Sequence, residues 1–210
     1  MIIVEDSRQK AGKHNNKREY FKLRGHTVYT ACLPFGDYVC ADNFPAELIA
    51  KIAELSKAYE TGEDKVPPKL LKEVKAEIAE MSDIVLIDTK KDLQEVISNL
   101  TKQHDRFCRE CDGARAHGAR LVILVENKDG VTQTQDLYGW YNYRLKKNPR
   151  ATKGSTLAKM VTGMEYNHDV VFIFCNPKLT GKRIEEVFIN AKNGIYPQRA
   201  SERPKKRFEI

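Results

Sequence analysis

The sequence predicts an α/β fold in which helices flank a central mixed β-sheet and a helical hairpin is inserted between two of the strands. Three observations predict it. Short β-branched or aliphatic runs (IIVE, HTVYTA, IVLI, LVILV, VVFIFC) alternate with longer stretches of helical periodicity. Residues 44–82 interrupt that alternation with two amphipathic helices in succession. At 210 residues, 41% hydrophobic and 31% charged, the chain can bury one sizeable core, and a single domain over residues 1–191 is expected.

Each element has a local reason. Residues 2–5 are an apolar run ending in acid, read as a buried strand. Residues 13–24 alternate as a helix, and Gly25 accepts the left-handed turn that ends one. Residues 26–31 are β-branched and aromatic, a strand. Pro34 and Gly36 mark a turn before a strand over residues 37–40, and so short a link predicts an antiparallel hairpin. Pro45-Ala46-Glu47 opens a helix with Leu48, Ile49, Ile52 and Leu55 on one face. After a polar break and Pro67-Pro68, a second helix carries Leu70, Leu71, Val74 and Ile78. Residues 84–87 resume the sheet as a fully buried strand. Asp92 caps the next helix, with Glu95 completing a capping box, and the helical pattern runs on toward Asp112. A strand over 121–125, an aromatic-rich loop at 137–150, a helix over 155–164, a strand over 170–175 and a helix over 180–191 follow. Residues 192–210, with Pro197, Pro204 and Lys205-Lys206-Arg207, read as a flexible basic tail.

The formal net charge is +7, and its distribution says more than its size. Residues 44–81 are mixed and slightly acidic, whereas residues 144–159 and the end of the chain are basic. Separated basic patches suit a phosphate backbone, where affinity comes from counterion release. No apolar run approaches the ~20 residues of a membrane-spanning helix. The opening MIIVEDSRQK places carboxylates where a secretion signal would carry basic residues. Five cysteines without a disulfide-framework spacing suit a reducing compartment. A cytoplasmic protein with no membrane partner is the expectation.

Chemistry concentrates at Asp88-Thr89-Lys90, where the IVLI strand ends. Side chains alternate along a strand, so Asp88 and Lys90 share one face with Leu86. Buried charges must be paired or used. Asp37, at the start of another strand, offers a second carboxylate. Two carboxylates on neighbouring strands are hard oxygen ligands of the kind Mg²⁺ or Mn²⁺ takes, with water and substrate phosphate completing the octahedron. A lysine beside them can orient the attacking water or offset charge on a phosphate. Asp6 is a candidate third ligand, Glu5 points to the opposite face, and Arg8 is a candidate phosphate contact.

Several ordered segments together resemble a known family. IIVEDSRQK, a helix ending in RGHTV, then LPFGDYV, IDTKKDLQEV and ARLVILVEN follow the nuclease domain of XPF-type structure-specific endonucleases, members of the PD-(D/E)XK superfamily. The matching positions are Asp6 and Arg8, Gly36-Asp37-Tyr38, Asp88-Thr89-Lys90 with Asp92-Leu93, Arg106 on a helix, and Glu126 closing an apolar strand. The resemblance implies a restriction-endonuclease-like core, metal bound by Asp37 and Asp88 with support from Asp6, Lys90 serving the water or scissile phosphate, and branched DNA as substrate. The chain departs from the family in three respects. Its Glu-Arg-Lys is Asp88-Thr89-Lys90, the helical pair at 44–82 has no counterpart, and no tandem helix-hairpin-helix module is recognisable.

Other constellations bear on DNA and on rival functions. Trp140, with Tyr138, Tyr141 and Tyr143, precedes Arg144, Lys146, Lys147 and Arg150, a mixture that can stack on unpaired bases and hold phosphates. The alternative for Trp140 is a ring folded back over the sheet edge. Cys108 and Cys111 have metal-ligand spacing, with His104 and His117 nearby, but lie within a helical pattern. Gly12-Lys13 lacks the glycine-rich lead-in of a phosphate loop. The expected function is a metal-dependent DNA endonuclease acting on flaps, forks or junctions, as a homodimer or alone. The rivals are an inactive nuclease-fold module that binds DNA and a zinc-organised regulator.

Overall fold

A computed structural model describes residues 1–9, 15–61 and 66–202. Gly12, Lys13 and the Lys205-Lys206-Arg207 cluster lie outside the described residues. The apolar runs become strands β1 (Ile2–Asp6), β2 (Thr27–Ala31), β3 (Tyr38–Cys40), β4 (Val85–Lys90), β5 (Arg120–Glu126) and β6 (Val171–Cys175) of one sheet. Their spatial order is β2-β1-β3-β4-β5-β6. Pairs β1–β2, β4–β5 and β5–β6 are parallel, and β3 runs antiparallel to both neighbours. Parallel pairing needs a crossover, which helices provide: α1 (Asn15–Leu23) between β1 and β2, then α4 (Leu93–Leu100) with α5 (His104–Ala116), then α6 (Gly154–His168).

The hairpin expected from β2 and β3 does not form, because β1 lies between them. Residues 32–37 carry the chain across the end of β1, a span of about 10 Å for two strand spacings. Both edges of β1 hold this crossing: Ser7 N–H donates to Ala31 O and Asp6 N–H to Asp37 O, each at 2.8 Å. The α1 crossover has already filled one edge of β1 in parallel fashion, so the returning chain takes the other.

Alternation along the strands divides the core. Val4, Val39, Leu86, Ile123 and Val125 face one side, packed with α2 (Ala46–Thr61), α3 (Pro68–Ala79) and α4–α6. Ile3, Tyr38, Ile87, Val122 and Leu124 face the other, with Phe21 of α1 and Ile184 and Phe188 of α7 (Thr180–Lys192). The inserted pair is core rather than ornament: Leu48, Ile52 and Leu55 of α2 and Val74 and Ile78 of α3 are buried in the first cluster. It leaves from the end of β3 and rejoins at the start of β4, the sheet end remote from Asp37 and Asp88.

Two further expectations change. The helix from Asp92 does not run through to Asp112. It stops at Leu100, where the Thr101 hydroxyl donates back to Ile97 O at 2.6 Å and competes with the backbone ladder. Gln103 N–H then closes the corner on Ser98 O at 3.0 Å, and α5 starts afresh at His104. The segment taken as a flexible tail is fastened as far as residue 202: Arg199 donates to Ala119 O at 2.8 Å, and Arg120 pairs with Glu202 at 2.7 Å. Among the described residues no helix is long and apolar enough to cross a membrane.

Candidate active site

The registers place three carboxylates in one row. Glu5 faces Tyr38 across β1–β3 and Tyr38 faces Ile87 across β3–β4. One residue further along these antiparallel pairs, Asp6 N–H donates to Asp37 O at 2.8 Å, and Asp37 is tied to β4 through its own N–H to Ile87 O and through Thr89, next to Asp88. Partners across such a pair share a sheet face, here that of Val4, Val39 and Leu86. Gly36 makes the close approach possible. Its φ is +65°, and a Cβ there would sit 3.0 Å from Ile87 O, the same oxygen that accepts from Asp37 N–H at 2.7 Å. The row opens into a cleft of about 580 Å³, lined also by Arg8, Lys17, Lys90, Arg106, Glu110 and Glu126.

Asp88 and Lys90 form an ion pair at 2.5 Å, with side chains 7% and 8% exposed. The Lys90 ammonium also lies 5.1 Å from the centre of the Phe107 ring, whose face favours a cation. Burial raises the Asp88 pKa to about 6, with Asp37 adding to the rise and Lys90 opposing it. Burial also works to strip Lys90 of its proton, but Asp88, helped by Glu110 and Asp37, outweighs it and keeps the pKa above the ordinary lysine value. The pair with Asp88 thus favours the charged form of Lys90. Asp37 is likewise raised, first by burial and with a contribution from Asp6, although Thr89 donates to its Oδ2 through both N–H (2.8 Å) and hydroxyl.

Asp6 is engaged differently. Both its oxygens accept from Arg8 Nε, at 3.1 and 3.0 Å, and Oδ1 also accepts from Leu33 N–H at 2.9 Å. Arg8 reaches on to Leu33 O at 2.7 Å. The pair thereby fastens the crossing between β2 and β3. Arg8 still lines the cleft, with its side chain 53% exposed.

The structure adds residues that sequence reasoning passed over or reached only through the family resemblance. Lys17 of α1 pairs with Glu126 at the end of β5 at 2.8 Å, both about one-eighth exposed and both on the cleft wall. Glu110 of α5 lies near Gly36 N (3.5 Å) and acts electrostatically on Lys90 and Arg8. Gln9 donates to Asp37 O at 3.0 Å. An acid ending an apolar strand is a readable signal for Glu126. Lys17 has none, since Arg18 and Lys22 share its helix and only the crossing of α1 selects it.

The DNA-contact candidates fall into three groups. Arg106 lines the cleft and donates to Gln103 Oε1 at 2.8 Å. Trp140 folds back: its ring packs against the first core cluster and Nε1 donates to Asp129 at 2.8 Å. Arg144, Lys146, Lys147 and Arg150 are exposed on the loop after β5. At the other constellation Cys111 is buried in the core, while Cys108 Sγ lies 3.6 Å from His104 Nε2. All five cysteines are free. Among the described residues no group of three or more His, Cys, Asp or Glu side chains is placed to hold a metal ion. Comparison with protein-family models and with curated proteins returned no match.

Proposed function

We propose that the chain is a metal-dependent DNA endonuclease of the PD-(D/E)XK type, XPF-like in its motifs, acting in the cytoplasm on branched DNA. The observation that carries this reading is the convergence of Asp37, Asp88 and Lys90 on one cleft, with Asp37 hydrogen-bonded to Thr89 between the other two and Asp88 paired with Lys90. Asp37 and Asp88 fit a divalent ion such as Mg²⁺ or Mn²⁺. They are hard oxygen donors whose ionisation burial opposes, with Asp37 adding to the rise at Asp88 and Asp6 to the rise at Asp37, and Asp88 Oδ2, enclosed beside Lys90, carries no well-aligned hydrogen bond. Two protein carboxylates with water and phosphate are a common Mg²⁺ environment. When bound, such an ion supplies Lewis-acid polarisation of a phosphoryl oxygen and a more acidic water.

The remaining work falls to the chain. Lys90, kept protonated by Asp88, offsets the charge that builds on the scissile phosphate. Thr89 holds Asp37 in place through two hydrogen bonds. Arg106 and Lys17 on the cleft walls, with the exposed cations after β5, hold phosphates on either side of the cut. Asp6 and Arg8 set the position of the Asp37 strand.

The test is cleavage of labelled flap, fork and linear duplex in Mg²⁺ by wild type, Asp88→Asn and Lys90→Ala, beside calorimetric titration of Mg²⁺. Wild type should cut branched substrates, and both variants should lose roughly a hundredfold or more, the scale of one lost electrostatic stabiliser. Equal cutting by all three would assign the activity to a contaminant. DNA binding without Mg²⁺ uptake would favour the inactive module.

A further inference from the structure

The loop between β5 and α6 exposes three aromatic rings that the fold does not use. Tyr138, Tyr141 and Tyr143 are 57%, 59% and 61% exposed. Between Asp136 and Glu165 the sequence has no carboxylate, yet it carries Arg144, Lys146, Lys147, Arg150, Lys153 and Lys159.

The backbone that presents these side chains is built to hold its shape. Asn142, 1% exposed, accepts from Gln94 Nε2 (2.9 Å) and Arg144 N–H (3.1 Å) and donates to Thr152 O (2.8 Å). Gly154 sits so close beneath the loop that a Cβ would come within 2.3 Å of both Leu137 O and Trp140 O. Trp140, tied to Asp129, anchors the same stretch from inside. The loop starts one residue after Glu126, and Gln94 precedes Glu95; both acids line the cleft. Buried polar groups thus fix a surface beside the site, while its aromatic and cationic groups face water.

We propose that this loop binds an unpaired DNA strand, with bases stacking on Tyr138, Tyr141 and Tyr143 and the phosphates held by Arg144, Lys146, Lys147 and Arg150. The inference rests on the reading that the cleft acts on DNA, and it specifies which surface takes the single-stranded arm of a branched substrate. A cationic stretch of chain without carboxylates of its own suits a polyanion. Exposed rings on a rigid frame suit free base faces, which duplex DNA keeps stacked inside.

The test measures anisotropy of a labelled oligodeoxythymidine and of a duplex of equal length, in chelator at fixed salt, so that no cleavage is required. The proteins are wild type, the three single Tyr→Ala variants, the triple Ala variant, the triple Phe variant, and R144Q/K147Q. Single-strand affinity should fall roughly tenfold or more in the triple Ala variant, with duplex affinity changed less than about twofold. The triple Phe variant should bind as wild type, and R144Q/K147Q should weaken both ligands with a shallower salt dependence. Unchanged single-strand binding in the triple Ala variant, or an equal loss on both ligands, would overturn the proposal. So would tyrosine-dependent binding to phosphatidylserine vesicles that exceeds binding to the oligonucleotide. If the triple variant melts early, the single variants decide by the same criterion. Stacking-dependent binding in a protein that never cuts DNA would sink the nuclease reading alone, and efficient cutting without tyrosine dependence would sink this one alone.

Discussion

Burial at the end of β4 sets the acid–base behaviour of the candidate site residue by residue. Water is withdrawn from Asp88 first, Asp37 adds repulsion, and Lys90 returns part of the loss, leaving a pKa of about 6. A carboxyl with its folded pKa above the unfolded value stabilises the fold only when protonated. The metal-free protein should therefore lose this contribution as pH rises from about 4 through about 6. The proposed cleavage should run the other way, because ion binding requires the carboxylate. The log of kcat/KM at limiting Mg²⁺ is expected to fall as pH drops through about 6, and to fall at lower pH when Mg²⁺ is raised, since the ion competes with the proton. A profile flat across that range would mean that Asp88 does not titrate in the free enzyme. The ion pair itself makes a second prediction. Lys90→Ala leaves a buried carboxylate unpaired and should cost roughly 3–5 kcal/mol at neutral pH, whereas Asp88→Asn with Lys90→Met together should come close to wild-type stability. Urea unfolding of the two proteins checks it, and neither should cut DNA.

Among the elements, β3 matters most for its length: only three residues long, it begins directly after Asp37. Its seat against β4 depends on Gly36, which takes a left-handed φ of +65° where a Cβ would press on Ile87 O. Gly36→Ala should cost about 1–2 kcal/mol for the backbone conformation alone. It should also lower cleavage beyond what the loss of folded protein explains, because β3 must lift from β4 and take Asp37 with it. Thermal melting beside kcat measured well below Tm separates the two effects. The corner at Thr101 works similarly on α5. Had the helix run on from Asp92, its later turns would have kept the direction of α4. The break at Thr101 lets α5 start anew, and it brings Phe107 to Lys90 and Glu110 to the cleft. The break leaves only a faint trace in the sequence, six polar residues between Leu100 and Phe107, and because Phe107 and Cys111 fall about two and about three turns beyond Leu100 the pattern still reads as one helix.

For the molecule as a whole, the inserted helices join the sheet at the end remote from the candidate site and share its core, and α2 runs back along β2 until Ser56 accepts from Thr30 N–H at 3.0 Å, opposite Glu5 in the register. Leu55 of α2 is fully buried beside strands that end in site residues. Leu55→Ala should therefore reduce stability by roughly 2–5 kcal/mol while leaving kcat of the folded fraction near wild type, as denaturant titration and activity at low temperature would show. A selective loss of kcat would instead mark the helices as part of the substrate path. The sheet with flanking helices, the inserted pair and the cluster of Asp37, Asp88 and Lys90 were legible in the sequence. Each rests on a local pattern: alternation along a strand, apolar spacing along a helix, charge at a strand end. The placement of β1 between β2 and β3 and the Lys17–Glu126 pair were not legible, and the inward turn of Trp140 was one of two readings the sequence left open, because each depends on which distant segments pack together.

The sequence by itself determined where the strands and most of the helices form, the break between α4 and α5 apart, and which acids and lysine emerge from buried strands, since neighbouring residues dictate both. Only the tertiary structure decided that Asp6, Asp37 and Asp88 stand in one row and that Arg8 and the Leu33 amide occupy the first of them. Strand order is settled by competition for the two edges of β1, and that competition leaves no trace in any one stretch of sequence.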